Sequence, residues 1–196
     1  MQNKTYINAQ TLLLDSFQLG VKIIQSGFNP DFIVGVWRGG TPVGIAIQEF
    51  LDYFGIKTDH IAIRTSSYTG INERSETIRV HGLNYVVENS SARTSLLIAD
   101  DVHDTGLSIK AVIDTLKAKA GDKAPANIRV ATVYYKPGNN KTGFTPDYYI
   151  HETDHWLIFP HELDGLTQEE IFEFKPGLKP LFDEAAKSLK QNHGLS

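Results

Sequence analysis

Cysteine is absent from the 196-residue chain. Its absence excludes disulfides, thiolate metal sites and cysteine nucleophiles, and it fits a reducing cytoplasm. No apolar run approaches the length that spans a bilayer, and the start, Met1-Gln2-Asn3-Lys4, has no apolar signal core. A cytoplasmic protein without membrane contact is expected. An excess of positive charge is missing too: the formal net charge is −4, which argues against broad nucleic-acid binding, since that needs a basic face. A small anionic substrate remains open, because a few local cations and the amides at a helix start can hold one. Repeats and low-complexity tracts do not occur. What is present is a chain 41% hydrophobic and 21% charged, enough for one packed core with room for a short appendage.

Strand-like and helix-like segments alternate along it. Asn8 predicts the cap of a helix over residues 8–26, ended by Gly27 and Pro30. Phe32 to Trp37 is short, apolar and β-rich, so it reads as a buried strand. Thr41-Pro42 predicts a helix start, and Val43, Ile47, Phe50, Leu51 and Phe54 fall on one face before Gly55 closes it. Residues 60–64 read as a second strand and the polar stretch 66–76 as a mobile loop. Residues 77–80 and 85–87, around His81-Gly82, suggest a small hairpin or flap. Further strands are expected at 96–98, 128–135 and 148–150, an extended piece at 156–159, and a helix through Ile109, Val112, Ile113 and Leu116. Residues 166–196, interrupted by Pro176 and Pro180, read as helical. Such alternation implies an α/β domain with a parallel sheet and ligands at the strands' C-terminal ends.

The stretch that carries chemistry is Leu96-Leu97-Ile98-Ala99-Asp100-Asp101-Val102-His103-Asp104-Thr105-Gly106-Leu107-Ser108. An apolar strand brings two adjacent carboxylates to its end, and a turn of small and hydroxylated residues then opens a helix. Asp100 and Asp101 can accept hydrogen bonds from vicinal hydroxyls and hold magnesium through its water shell. The amides from Asp104 through Thr105, Gly106 and Leu107 to Ser108, with two hydroxyls, form an anion cradle at a helix start. A single Asp-x-Gly turn would more often be an ordinary cap. The apolar strand, paired acids and Thr-Gly-x-Ser together favour a phosphorylated ribose.

This stretch resembles the signature of the type I phosphoribosyltransferase family. The resemblance covers residues 30–162 and implies that family's fold: a mostly parallel central sheet flanked by helices, with a small hood. It divides the chain into a domain over 1–162 and a helical appendage over 163–196. By resemblance, Asp100 and Asp101 bind ribose hydroxyls and magnesium, the turn grips the 5′-phosphate, and Asp104 is the general base near N7 of a purine. Val36-Trp37-Arg38-Gly39-Gly40-Thr41-Pro42 resembles the pyrophosphate loop, in which relatives often have a cis peptide where Trp37–Arg38 stands here. Ser66-Ser67-Tyr68 with Arg74 resembles the flexible hood of bacterial xanthine-guanine enzymes, which closes over pyrophosphate. Tyr134-Tyr135-Lys136-Pro137 matches a strand-end lysine that donates to purine O6, and Asp154 to Pro160 a base-sandwiching segment in which Trp156 stacks and backbone near Leu157 reads the 2-position. His161 departs from the pattern, since tryptophan often follows the proline there.

The expected activity is transfer of the 5-phosphoribosyl group from phosphoribosyl pyrophosphate to a 6-oxopurine (guanine, xanthine or hypoxanthine) in purine salvage, by a homo-oligomer, dimer or tetramer. The rivals are a regulatory protein that senses phosphoribosyl pyrophosphate, and a pyrimidine or amido transferase, which fits Asp104, Lys136 and Trp156 less well. His151-Glu152-Thr153-Asp154-His155 satisfies the H-E-x-x-H zinc-protease pattern, but strand-like sequence surrounds it, and that chemistry needs both histidines on one helical face.

Overall fold

The computed structural model describes residues 4–68 and 77–193. Its elements are β1 (Lys4–Tyr6), α1 (Ala9–Gln25), β2 (Phe32–Trp37), α2 (Gly40–Tyr53), β3 (Asp59–Tyr68), β4 (Thr77–His81), α3 (Asn84–Asn89), β5 (Ser95–His103), α4 (Leu107–Ala120), β6 (Asn127–Tyr135), β7 (Tyr148–Glu152), β8 (Trp156–Ile158), α5 (Gln168–Phe174) and α6 (Lys179–His193). Six strands form the central sheet in the order β4-β3-β2-β5-β6-β7, and β1 with β8 forms a separate two-stranded sheet. Among the described residues only β4 in the central sheet runs antiparallel, against β3.

The apolar runs are continuous because both faces of the sheet are covered. Ile33, Leu97, Ala99, Ala131 and Val133 pack with Leu19, Ile23, Val43, Ile47 and Leu51 of α1 and α2. Their neighbours Val34, Val36, Leu96, Ile98 and Val130 point the other way, onto Val86 of α3 and Ile109, Val112 and Leu116 of α4. Leu97 and Ile98 are fully buried, and trimming either to alanine costs about 2–5 kcal/mol. Those two layers clamp β5, so its C-terminal end is a rigid place to hold chemistry. Asn8 caps α1, accepting from Thr11 N at 2.7 Å. No helix among the described residues is long and apolar enough to cross a membrane.

Several sequence expectations need correction. The expected 77–80/85–87 hairpin does not form: β4 turns back on β3, while residues 84–89 are helical. Leu83 and Val86, one helical turn apart, bury themselves in the core. The polar stretch from 66 is strand at its start, since Ser66, Ser67 and Tyr68 pair with Arg79, Ile78 and Thr77. Arg74 lies outside the described residues. Thr41 does not cap α2, which begins at Gly40 with Gly39 before it. Pro180 does not break the C-terminal helix but sits in the first turn of α6, where its missing N–H has no partner to lose. Pairing of β1 with β8 was not legible in the sequence.

Candidate active site

Strand β5 delivers Asp100 and Asp101 to the edge of the core. Asp101 N donates to Asp100 Oδ1 at 3.0 Å. Burial pushes the Asp101 carboxyl up to about 7, with the charge of Glu162 adding to it. Asp100 is raised well above the carboxylate range, first by burial and then by Asp101. Among the described residues no lysine or arginine pairs with either acid. His161 Nε2 stands 3.7 Å from Asp101 Oδ2, a near contact too long for a hydrogen bond, and burial holds its imidazole below the ordinary value. Two crowded carboxyls without a cation, offering only oxygen donors, suit a hydrated divalent ion or a pair of hydroxyls.

The loop after β2 lies directly on these acids. Gly39 has φ −66°, which any residue adopts, so freedom is not why glycine stands there. Space is the reason: a Cβ on Gly39 would overlap the Asp101 carboxylate, and one on Gly40 the Ala99 carbonyl. The Trp37–Arg38 peptide is cis. Arg38 and Arg64 line one open cleft of about 400 Å³ with Trp37 and Thr65. Arg64 reaches it because β2 and β3 pair in parallel with Trp37 beside Arg64. Ser66 Oγ lies 3.3 Å from His81 Nε2 across the β3–β4 arm.

Beyond β5 the chain turns at Gly106, φ +75°, where a Cβ would stand 2.6 Å from His103 Nε2 and from Thr142 Oγ1. Helix α4 starts at Leu107, so its first amides lack intrahelical partners. Leu107 N donates to Thr105 Oγ1 at 3.4 Å, and a cavity of about 240 Å³ beside this start is lined by Asp101, Asp104, Thr105, Gly106 and Ser108. Lys141 N donates to Thr105 O at 3.0 Å and braces the turn from outside. Beneath it His103 is buried between the Tyr135 and Phe144 rings. Neither ring nitrogen has a partner in hydrogen-bond geometry, although Asn140 lies near, and burial lowers the imidazole pKa.

At the end of β6 the Lys136 ammonium is nearly buried and donates to Asp104 Oδ2 at 3.0 Å. Asp104 Oδ1 accepts from Asn139 Nδ2 at 2.9 Å. Asp104 therefore does not cap α4; it is held between two donors. Lys136 Nζ is 5.8 Å from the Trp156 ring centroid, and Trp156 is half exposed. Leu157 turns its side chain into the core, so only its backbone can face a ligand. The structure thus gathers Asp100, Asp101, Asp104, Thr105, Gly106 and Ser108 around one strand end. Gly39 and Gly40 press on that end, and Lys136 with Trp156 lies to one side.

Sequence reasoning missed Arg64, His103, Asn139 and Glu162. Arg64 was hidden inside a strand, and the other three become visible only through their long-range contacts. The zinc-protease pattern dissolves: His151, on β7, bonds Asp15 Oδ2 at 2.9 Å, whereas His155 Nδ1 meets Thr5 Oγ1 at 3.0 Å in the loop beyond.

The phosphoribosyl transferase domain family matches residues 4–163. A purine phosphoribosyltransferase from Pyrococcus horikoshii Ot3 is similar with a TM-score of 0.67 and 25% identity, over 84% of this chain and 98% of its own. A hypothetical protein from Neisseria gonorrhoeae with bound ppGpp gives a TM-score of 0.69 and 21% identity, over 90% and 98%. The Helicobacter pylori xanthine-guanine-hypoxanthine phosphoribosyltransferase gives 0.65 and 21%, over 83% and 96%.

Proposed function

The chain belongs to the phosphoribosyltransferase family, and from that premise we propose that it transfers the 5-phosphoribosyl group of phosphoribosyl pyrophosphate to a 6-oxopurine, in cytoplasmic purine salvage. The observation that carries the base assignment is the Lys136–Asp104 pair, set beside the half-exposed Trp156 ring and next to the Asp100–Asp101 end of β5. An ammonium has three protons. One goes to Asp104, and the others suit a carbonyl at the purine 6-position while opposing adenine's amino group.

In the reaction a purine ring nitrogen bonds to C1 of the ribose, the bond from C1 to the pyrophosphate oxygen breaks, and the purine loses a proton. Asp104 takes that proton near N7, with Lys136 and Asn139 fixing the carboxylate's orientation. Trp156 stacks on the base, and the backbone at Leu157 faces its 2-position. Asp100 and Asp101 accept from the ribose hydroxyls. The turn Asp104-Thr105-Gly106-Leu107-Ser108 holds the 5′-phosphate through amides and hydroxyls. Arg38 and the amides of Gly39 and Gly40 hold pyrophosphate, with Arg64 as a second cation lining the same cleft. The end of strand β3 at Ser66, Ser67 and Tyr68 contributes to excluding water from the reaction; Arg74, the fourth residue of that sequence pattern, lies outside the described residues. The paired acids, which lack a cationic partner and offer only oxygen, fit magnesium, and Asp100 and Asp101 would hold it. When bound, that ion supplies charge against the departing pyrophosphate.

Pyrophosphate release, followed with guanine, xanthine, hypoxanthine, adenine, uracil and orotate, tests the proposal. Release with 6-oxopurines alone supports it. Preference for a pyrimidine overturns the base assignment, and binding of phosphoribosyl pyrophosphate without turnover on any base points to a sensor.

A further inference from the structure

The family match ends at residue 163, yet the chain beyond it reaches back to the base site. Helix α5 opens with a full capping box, in which Thr167 and Glu170 satisfy each other's backbone amides. It docks on β1: Glu170 pairs with Lys4 and accepts from Tyr6 Oη at 3.3 Å, and the Phe174 ring stacks on Tyr6 at 3.6 Å. Strand β1 is in turn the partner of β8, with Lys4 beside Trp156 and Tyr6 beside Ile158. The C-terminal segment therefore backs the strand that carries Trp156.

At the end of α5, Lys175 turns its ammonium into the loop that follows β8. Nζ donates to the carbonyls of Phe159 at 2.8 Å, Pro160 at 3.0 Å and Glu162. That engages all three ammonium protons on main-chain oxygens of one short loop. The loop closes on itself as well, since Phe159 N donates to Glu162 Oε2 at 2.9 Å. Phe159 O also accepts from Glu162 N at 3.1 Å, but without Lys175 the Pro160 and Glu162 carbonyls would have to turn to water. From this loop His161 comes to 3.7 Å of Asp101 Oδ2, and its ring stacks on Phe159, which meets Tyr134 edge-on. A lysine that merely tied down the tail would pair with a surface carboxylate or snorkel into solvent. This one organises the backbone between the base-stacking strand and the acid pair.

We propose that Lys175 is a positioning residue of the purine site: it holds the 159–162 loop in the shape that sets Trp156 and His161 for the base. Lys175, and not the docking of α5 on β1, is then the part of the C-terminal segment that works at that site. The inference rests on the 6-oxopurine reading above.

Lys175→Met keeps the length of the side chain and removes its donors. Its expected effect is a rise in KM for the purine of about tenfold to a hundredfold, the scale on which small misplacements act. Affinity for phosphoribosyl pyrophosphate should change by less than about threefold, on the same reasoning that only the base is misplaced. Hydrogen exchange across residues 156–163 of the ligand-free protein should quicken. Glu170→Gln is the control for a structural role: it loosens α5 from Lys4 while Lys175 stays in place, so it should lower thermal stability and leave the purine KM unchanged. Should Lys175→Met not accumulate as folded protein, Lys175→Gln, with two donors on a shorter stem, takes its place under the same criterion. An unchanged purine KM in the Lys175 variant, or an equal rise in Glu170→Gln, overturns the proposal. Absence of nucleotide formation by the unaltered protein, measured alongside, would instead overturn the 6-oxopurine reading.

Discussion

Replacing Asp104 with asparagine separates a chemical role from a structural one, because the structure bounds the structural cost. Asp104 Oδ2 accepts from Lys136 Nζ and Oδ1 from Asn139 Nδ2. Asparagine offers one oxygen. Turned towards Lys136, it keeps that acceptor and sets its amide against Asn139, which is exposed and free to rotate into water. The Asp104 side chain is itself 39% exposed, so solvent screens the lost charge, and the loss comes to about 1 kcal/mol. For a chain of this size that is about 2–4 °C in Tm. Since Asp104 does not cap α4, the phosphate turn survives. Loss of a general base, by contrast, lowers the chemical step about 10²–10⁴-fold, or about 3–5 kcal/mol. Single-turnover rates with guanine and saturating phosphoribosyl pyrophosphate, paired with binding titrations of the sugar substrate, read both quantities. A chemical step that falls less than a few-fold would refute the reasoning and make Asp104 only the partner of Lys136.

Lys136→Ala should reduce kcat/KM for 6-oxopurines by about 1–3 kcal/mol, the worth of a charged hydrogen bond, and equal rates on hypoxanthine would contradict that role. Gly39→Ala should fold normally but weaken phosphoribosyl pyrophosphate binding at least about tenfold, because the loop must retreat from Asp101 for the methyl to fit; calorimetric titration checks it, and unchanged affinity would contradict it. Asp101 makes stability depend on pH. Its folded carboxyl titrates at about 7 against an ordinary 3.8, so the folded state keeps a proton that the unfolded chain releases above about pH 4. Its contribution is full below that pH and is lost as pH rises to about 7, by up to about 1.4 kcal/mol per unit. Thermal unfolding of the ligand-free protein against Asp101→Asn should show this difference, and parallel pH profiles would contradict it.

The grouping of residues at the end of β5 was legible because it is local: apolar strand, paired acids and small-residue turn follow one another without a break, and each constrains the next. Gly39 and Gly40 were legible as a glycine turn, but the reason for them was not, since it lies in Asp101, far along the chain. The same limit hid the pairing behind Trp156. Nothing in Lys4-Thr5-Tyr6 announces a partner at Trp156, and Lys175 before Pro176 reads as an ordinary helix end. Its three carbonyl partners become visible only once β8 and α5 are placed. Residues 84–89 were misjudged for another reason: a short apolar segment suits strand or helix equally, and burial of Leu83 and Val86 decides between them.

The central claim is transfer of a phosphoribosyl group to a 6-oxopurine, and the most direct measurement follows the ribose itself. The protein is given phosphoribosyl pyrophosphate labelled with ¹³C in the ribose, together with guanine and magnesium, and the products are resolved by chromatography and mass. The account predicts the label in guanosine 5′-monophosphate, with one pyrophosphate released per nucleotide and no nucleotide formed when chelator is in excess. Label that stays in phosphoribosyl pyrophosphate, or appears only as ribose 5-phosphate, with guanine, xanthine and hypoxanthine alike would contradict it.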